Sequence, residues 1–383
     1  MKITLSIFKK KQAKEKSKNI KIPCLSILFC IICISFICIM FSSSNMLIFA
    51  TNFYEMKIEK LTVKELAFQN SLLNPSSYKY SVVDNVEKKE DNYIPNDAEA
   101  LLDKIAMNSM NTMVFSNINA QDISVVTENN NYQKLSVCGV DVTNYSTNRK
   151  IDFSKILMME NKEFNSLDEV AIYTTHTSES YANSPNYTFD YSSAARTLDG
   201  NYNMLNIAST FARNLNSKGI NTVCSLNPHD YGEYNSAYSN SRNTLGEIIQ
   251  NNPNVKIAVD VHRDAIEDLS FAPKLDIMGY NVACVMLVMG IGYEGEENPY
   301  YEENLKLALQ LQILGNKIYP GLFRPMIIRN SVYNQDLMEN SFLIEVGATG
   351  NTIDEAILAT RCLANLLNIM YNHWNDFVLC DII

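Results

Sequence analysis

Residues 259–264 read VDVHRD and give the strongest indication of the fold in this chain. This stretch overlaps an apolar run over 257–261 that predicts a buried strand, and it places His262 beside acidic and basic neighbours. The chain has only four histidines, and another of them, His176, follows a second strand-like run over 170–174. In parallel sheets, chemistry is carried at the carboxyl ends of the strands. Two histidines placed in this way predict a metal site at one edge of a sheet.

Working outward from this stretch, apolar periodicity alternates between strand and helix from residue 166 onwards. The predicted strands are 170–174, 223–226, 257–261, 282–289, 325–328 and 342–346, and the predicted helices are 204–215, 238–249, 305–318 and 353–370. This alternation predicts an α/β domain over 166–377, with a mostly parallel sheet flanked by helices on both faces. One further strand is predicted over 133–142.

The amino-terminal region has the features of a membrane anchor. Residues 1–21 carry eight lysines and one glutamate, and residues 22–41 are uncharged and almost wholly apolar. About 20 apolar residues span a bilayer as a helix, and lysines before the span predict a cytoplasmic N-terminus. We therefore expect a single-pass protein of the cell membrane with an extracytoplasmic catalytic domain. A cleaved signal peptide is the alternative, although its apolar part is usually shorter.

Between the anchor and the α/β domain, the sequence predicts two further segments. Residues 42–130 are polar apart from one helical pattern that begins at Asp97, which indicates a partly ordered juxtamembrane stalk. Residues 131–165 form a lead-in to the domain. The formal net charge of −10 argues against nucleic acid as a partner.

The chemistry of the predicted metal site follows from three side chains. Glu179 comes three residues after His176, a spacing that places both on the same side of one helical turn. Zinc hydrolases use mixed histidine and carboxylate ligands and leave one position for water. His262 supplies a third ligand from another strand. Either histidine alone also fits an ordinary hydrogen-bonded residue, but two in similar settings favour a Zn²⁺ site.

Glu345 lies in the apolar run 342–346. A carboxylate inside such a strand is costly unless it is paired, bound to a metal or neutralised. One interpretation is a salt bridge to a buried arginine, and the other is a general base beside the metal, with a pKa raised by burial. His229, in the turn-rich loop 227–232, fits either a solvated loop histidine or a residue that contacts substrate.

Seven short motifs extend these observations across residues 170–365. They are YTTHTSESY (173–181), DVHRDA (260–265), NPYYEENL (298–305), YPGLFR (319–324), YNQDL (333–337), LIEVG (343–347) and NT (351–352). In this order they resemble the motifs of the stage II sporulation protein P family. The basic N-terminus and single anchor also resemble that family.

The resemblance implies a zinc-dependent N-acetylmuramoyl-L-alanine amidase with a phosphorylase/hydrolase-like α/β fold of the amidase type. It implies peptidoglycan as substrate, a role in engulfment during endospore formation, and stage II sporulation proteins D and M as partners. By the same resemblance, His176, Glu179 and His262 match the metal ligands and Glu345 matches the catalytic glutamate. Candidates for substrate contact or for support of the ligands are Arg263, His229, Asn334 and Gln335.

Two other functions fit the same residues. A zinc-dependent endopeptidase that cuts peptide cross-links would use the same four side chains, and the family is associated with that activity as well. A non-catalytic scaffold that binds the cell wall would keep the fold only, and the presence of all four candidate residues disfavours it.

Overall fold

The computed structural model describes residues 96–112, 123–128, 131–146, 149–160, 164–165, 167–182 and 195–373. The predicted cytoplasmic segment, the predicted anchor and most of the predicted stalk lie outside these residues. Within the described ranges, no helix combines the length and apolar character needed to cross a membrane.

Thirteen strands and six α-helices make up the described residues. The strands are β1 Ile123–Glu128, β2 Gln133–Val137, β3 Val140–Asn144, β4 Glu169–Tyr173, β5 Asn221–Cys224, β6 Val255–Asp264, β7 Lys274–Ile277, β8 Tyr280–Ala283, β9 Val285–Gly290, β10 Gly292–Tyr293, β11 Glu296–Glu297, β12 Met326–Arg329 and β13 Ser341–Ala348. The helices are α1 Asn96–Thr112, α2 Phe153–Met158, α3 Met204–Asn216, α4 Ala237–Asn251, α5 Tyr301–Ile318 and α6 Ile353–His373.

Nine of the strands form one sheet, in the order β1-β2-β3-β12-β9-β13-β6-β4-β5. β13, β6, β4 and β5 are parallel to one another, and β12 is parallel to β3 and β9. β9 is antiparallel to β13, so these two parallel blocks run in opposite directions. The prediction of an α/β fold with flanking helices is confirmed, and the sheet is mixed.

The two faces of this sheet are covered unequally. One face carries a large apolar core with side chains such as Ile172, Val261 and Ile344, against which α1, α2, α3, α5 and α6 pack. The opposite face, which we call the site face, has alternate residues of the same strands. There α4 covers β4, β5 and β6 through Leu245 and Ile248, and a smaller cluster lies over β9 and β13.

Local signals explain where helices begin and end. Asn203 precedes α3, and its side chain accepts a hydrogen bond from the backbone N–H of Leu205 at 3.0 Å, as an N-cap residue does. Beyond the end of α3, Gly219 has φ +82°, a left-handed conformation that glycine adopts without strain. Gly219 therefore turns the chain out of α3 towards β5.

Two predicted strands are each divided in the structure. The prediction of one continuous strand over 133–142 is wrong, because Cys138 and Gly139 take positive φ values of 51° and 78° and turn the chain between antiparallel β2 and β3. The residues predicted as one strand over 282–289 are also divided between two strands. The predicted strand is interrupted at Cys284, whose N–H donates to Pro273 O at 2.9 Å. β8 then pairs with β7 in a separate hairpin, while β9 enters the large sheet.

Segments predicted to precede the α/β domain contribute to the same folded unit. β3, from the predicted lead-in, pairs in parallel with β12. α1, from the predicted stalk, buries Leu102 and Ala106 in the large core. Its Asp103 pairs with Arg361 of α6, and Tyr319 donates a hydrogen bond to Leu102 O at 2.8 Å.

Candidate active site

The residues singled out in the sequence lie at one edge of the large sheet. β4, β6 and β13 are parallel, so their carboxyl ends meet there. His262 lies within β6 rather than after it, in register with Glu345 of β13, which directs both side chains to the site face. The loop after β4 carries His176 and Glu179. The structure therefore brings these four side chains together.

The four side chains leave buried polar atoms without partners. The rings of His176 and His262 meet edge to face, with centroids 5.4 Å apart, and His262 Nδ1 is 3.9 Å from Glu179 Oε2. Among the described residues, nothing forms a hydrogen bond with the buried atoms His176 Nδ1, Glu179 Oε2 or Glu345 Oε2. Such atoms cost stability, so this arrangement suits a ligand better than it suits the fold alone.

The donor set fits zinc chemically, although its atoms are not arranged as a formed metal centre. Two imidazoles and one carboxylate are a common ligand set for catalytic zinc, and buried unpaired atoms of His176 and Glu179 are available to it. Nevertheless, no group of three or more His, Cys, Asp or Glu side chains within the described ranges is positioned to hold a metal ion. These side chains would have to reorient to close a coordination sphere.

The two imidazoles have opposite pKa shifts. Burial, with contributions from His262 and Arg196, lowers the pKa of His176 to about 4. Burial also acts to lower the pKa of His262, but Asp260, with Glu345 and Glu179, outweighs it and raises that pKa to about 9. His262 Nε2 lies 3.0 Å from Asp260 Oδ1, although no described atom is aligned to hydrogen-bond with that nitrogen. Of the two imidazoles, His262 is therefore the one that holds a proton near neutral pH.

Glu345 has a carboxyl group whose pKa is strongly raised. Burial raises the pKa of its carboxyl to about 8, and the neighbouring His262 offsets part of this rise. Its Oε2 has no hydrogen-bond partner in the described part of the chain, which argues against the salt-bridge interpretation for that oxygen. A carboxyl with a pKa near the working pH can both accept and return a proton.

A second network fixes the loop that carries His176 and Glu179. Asp230 accepts hydrogen bonds from Ser178 N at 3.0 Å and Ser178 Oγ at 2.6 Å. Arg196 joins the network, with Nη1 3.0 Å from Asp230 Oδ2 and Nη2 3.2 Å from Glu179 Oε1. Sequence reasoning missed Arg196 and Asp230, because nothing in their local pattern links them to a histidine more than 15 residues away.

Two tyrosine rings pack against the imidazole of His176. Tyr234 stacks on the imidazole, with centroids 4.5 Å apart and planes 12° from parallel. Tyr238 meets the same ring edge-on at 5.5 Å, and the Arg196 guanidinium lies 4.6 Å from the Tyr234 ring centroid. Arg196 therefore contacts Glu179 directly and His176 through Tyr234.

Asp260 connects the loop to β6. It accepts hydrogen bonds from Thr175 N at 2.9 Å and from Thr175 Oγ1 at 2.6 Å. Arg263 is buried and points into the opposite side of the strand, where its Nε donates to Ser180 O at 2.9 Å. Arg263 thus supports the backbone of the loop between Glu179 and the next segment.

The other candidate residues have their polar groups engaged by the fold. His229 is buried, so the solvated interpretation is wrong. Its Nδ1 is 2.7 Å from Thr174 O and its Nε2 is 2.8 Å from Thr244 Oγ1. Asn334 donates to Ser241 Oγ at 3.0 Å. Gln335 accepts from Gly290 N and donates to Val288 O, both at 2.9 Å. Gln335 thereby satisfies two backbone groups at the end of β9.

An open cleft of about 620 Å³ leads across the site face to Glu345. β9 and β12 form its floor, with Met286, Val288 and Ile327. The polar and charged residues that line it include Tyr145, Asp264, Arg324, Arg329, Tyr333 and Glu345. A substrate can therefore approach Glu345 along the half of the site face that α4 leaves uncovered.

Comparison with known proteins gives a consistent family assignment. The sequence model of the family described as Stage II sporulation protein P matches residues 67–368. Stage II sporulation protein P of Bacillus subtilis (strain 168) is 29% identical over 214 residues, which are 53% of this chain and 51% of that protein. The chain thus matches about half the length of this curated relative.

Similar solved structures include two amidases. N-acetylmuramoyl-L-alanine amidase AmiC2 of Nostoc punctiforme is 14% identical with a TM-score of 0.33, covering 55% of this chain and 97% of that one. The CwlD amidase from Clostridioides difficile, solved in complex with the GerS lipoprotein, is 15% identical with a TM-score of 0.34, covering 53% and 96%.

Proposed function

Because the chain belongs to the stage II sporulation protein P family, we propose that it is a zinc-dependent N-acetylmuramoyl-L-alanine amidase that hydrolyses peptidoglycan during engulfment in endospore formation. The observation that carries the proposal is the group formed by His176, Glu179, His262 and Glu345, several of whose buried polar atoms have no partner in the part of the chain that the structure describes. Family membership supports the sporulation role, and the side-chain chemistry supports hydrolysis.

In this proposal, His176, Glu179 and His262 would hold the zinc ion. A zinc ion in such a site supplies Lewis-acid chemistry, which polarises a carbonyl and lowers the pKa of water. Arg196 and Asp260 would fix the ligands, because Arg196 contacts Glu179 at 3.2 Å and Asp260 lies 3.0 Å from the His262 ring. Partners of this kind orient ligands and strengthen metal binding.

Glu345 would act as the general base and then as the general acid. Its Oε2 takes a proton from the attacking water as the water oxygen bonds to the lactyl carbonyl carbon. The same oxygen then delivers that proton to the nitrogen of L-alanine as the C–N bond breaks. The products are the lactyl carboxylate of muramic acid and a stem peptide with a free amine. Burial, which raises the pKa of Glu345 to about 8, suits both transfers, and a bound cation would lower that value towards neutrality.

The remaining parts of the proposal rest on the sequence. The basic segment 1–21 and the apolar run 22–41 support a single-pass anchor in the cell membrane, with the catalytic domain outside the cytoplasm. Stage II sporulation proteins D and M are the proposed partners, from the family resemblance.

The proposal is tested by digesting purified peptidoglycan with the full chain, with and without a zinc chelator, and analysing the products by mass spectrometry. We expect intact stem peptides with a free L-alanine amine, and we expect chelation to abolish their release until zinc is restored. Products cut only within peptide cross-links would indicate an endopeptidase instead. If the chain binds peptidoglycan but cleaves none of it, the protein would be a non-catalytic scaffold instead.

A further inference from the structure

The cleft that leads to Glu345 has an uneven distribution of charge, and the following inference rests on the proposed function. Arg324 Nη1 lies 2.8 Å from Asp264 Oδ2, so these two charges on the cleft wall compensate each other. Arg329 also lines the cleft. It is exposed and, among the described residues, has no ion-pair partner. The wall therefore presents one uncompensated positive charge away from Glu345.

Arg329 is held in place without using its hydrogen-bonding edge. Its guanidinium carbon lies 4.3 Å from the centroid of the Tyr145 ring. The backbone of Tyr145 is tied to β12 next to it, because Tyr145 N donates to Ile328 O at 2.9 Å. A guanidinium stacked on an aromatic face keeps its N–H groups in the plane, where a carboxylate can accept two of them.

The wall behind Arg329 is closely packed. A Cβ atom at Gly290 would lie 2.4 Å from Ser331 O and 3.0 Å from Tyr333 Cδ2. The loop after Arg329 therefore rests directly on β9, and only glycine permits this approach. Tyr333 takes a positive φ of 49° in the same wall. Close packing of this kind keeps Arg329 at a fixed position relative to the sheet.

The strand register gives the distance between Arg329 and Glu345. Arg329 is in register with Gly290, and Glu345 with Met286. The two residues are thus separated by two strands laterally and four residues along β9. At about 4.8 Å per strand and about 3.3 Å per residue, their Cα atoms are roughly 16 Å apart. The Arg329 guanidinium stacks on Tyr145, which flanks β12 on the side away from β13, so the side chain does not shorten this distance. A ligand group at Arg329 therefore lies roughly five extended residues from Glu345.

The substrate has negative charge on one side of that bond only. The lactyl carboxyl of muramic acid is consumed in the amide, so the glycan is neutral, whereas the stem peptide carries free carboxylates. We propose that Arg329 and Tyr145 form a subsite for the carboxylate at the carboxyl terminus of the stem peptide. The subsite orients the peptide over β9 and β12, with its amide at Glu345, and leaves the glycan on the opposite side of Glu345.

The test uses two disaccharide pentapeptides that differ only at the carboxyl terminus, which is a free acid in one and an amide in the other. The zinc-loaded full chain should cleave the free acid with about tenfold higher kcat/KM, the size expected for one charge-assisted contact. Arg329→Gln should abolish this preference, and Arg329→Lys should restore part of it. Lys256→Gln, which removes an exposed cation on β6, should keep the full preference.

Binding of the same two compounds to the chain carrying Glu345→Gln separates this inference from the proposed function. Loss of the preference on Arg329→Gln, in binding or in cleavage, supports the subsite even if the bond that is cut differs from the proposed one. Equal affinity and equal cleavage of the two compounds by the unmodified chain would overturn it, as would a preference that survives Arg329→Gln. If the unmodified chain cleaves neither compound, the proposed function fails while the binding comparison still decides the subsite.

Discussion

Two groups of buried polar side chains lie close together in this molecule and differ in one respect. Around His229 and Gln335, each side-chain nitrogen and oxygen has a partner within 2.9 Å. Around His176, Glu179 and Glu345, buried atoms have none among the described residues. Because an unpaired buried polar atom costs stability, the first group serves the fold and the second is arranged for a ligand. Unpaired buried atoms also occur elsewhere in the described residues, at Gln312 Oε1 and Tyr371 OH, so the candidate site is marked by their combination with metal-ligating side chains.

The largest expected effect is loss of the metal from the second group. His176→Ala removes one of the proposed ligands, so we expect zinc content to fall to background and peptide release to stop. Metal analysis of the purified chain together with product analysis measures both. Retention of stoichiometric zinc in this variant would exclude His176 as a ligand.

Glu345→Gln separates binding of the metal from catalysis. The amide keeps the shape of the side chain but cannot take a proton, so we expect zinc to stay bound. We expect kcat to fall by about 10²–10⁴, the usual contribution of a general base. Zinc content and steady-state kinetics on a soluble muropeptide are the readouts. A variant with near-normal kcat would assign the proton transfer to another group.

Arg196→Gln tests whether support of a ligand matters. The change removes the contacts of Arg196 with Glu179 Oε1 and Asp230 Oδ2, and it removes the cation above Tyr234. We expect zinc affinity to weaken by about 10- to 100-fold, as for other residues that orient ligands. Competition with a chelator of known affinity measures this. Arg242→Gln provides a matched control, because it breaks the ion pair with Asp336, away from the ligands.

His229→Ala should act on stability rather than on the metal. It leaves Thr174 O and Thr244 Oγ1 without their buried partner, so we expect the free energy of unfolding to fall by about 1–3 kcal/mol. Zinc stoichiometry of the folded variant should stay at that of the unmodified chain. Denaturant unfolding and metal analysis give the two values, and a stable variant that lacks zinc would move His229 into the second group.

A separate expected effect is a pH dependence of stability in the metal-free chain. The pKa of Glu345 is about 8 in the folded chain and about 4.3 when unfolded, so the folded state binds more protons between these values. Stability therefore falls as pH rises through that window. Glu345→Gln removes this contribution, so its melting temperature should exceed that of the unmodified chain by a margin that grows from pH 5 to pH 8. A constant or shrinking margin would show that the carboxyl is not held protonated.

Much of the fold follows from apolar periodicity. The core strands β4, β6, β12 and β13 and the four helices from α3 onwards lie where the pattern predicts them, within a few residues. Strand pairing does not follow, because periodicity gives no information about neighbours. The insertion of β9 between β13 and β12, antiparallel to β13, follows the interruption at Cys284 and the loop that precedes β13. In that loop Tyr333, Asn334 and Asn340 take positive φ values, which apolar periodicity does not encode.

The candidate metal ligands and the candidate general base could be predicted from their residue types, but the residues that support them could not. The residues His176, Glu179, His262 and Glu345 are rare types in apolar settings, so their positions are visible in the sequence. Arg196 and Asp230 are not, because their importance comes from long-range contacts with the loop after β4. The role of His229 was also hidden, since the same residue type fits a solvated loop, a substrate contact or the buried hydrogen-bonded position that the structure shows.

The zinc site is tested most directly by X-ray absorption at the zinc edge, on the full chain loaded with one equivalent of the metal. We expect two imidazole nitrogens and one carboxylate oxygen as protein ligands, at about 2.0–2.2 Å. We also expect His262→Ala to remove one imidazole and most of the bound zinc. A spectrum without imidazole ligands, or one unchanged by His262→Ala, would contradict the claim that these unpaired side chains form a zinc site.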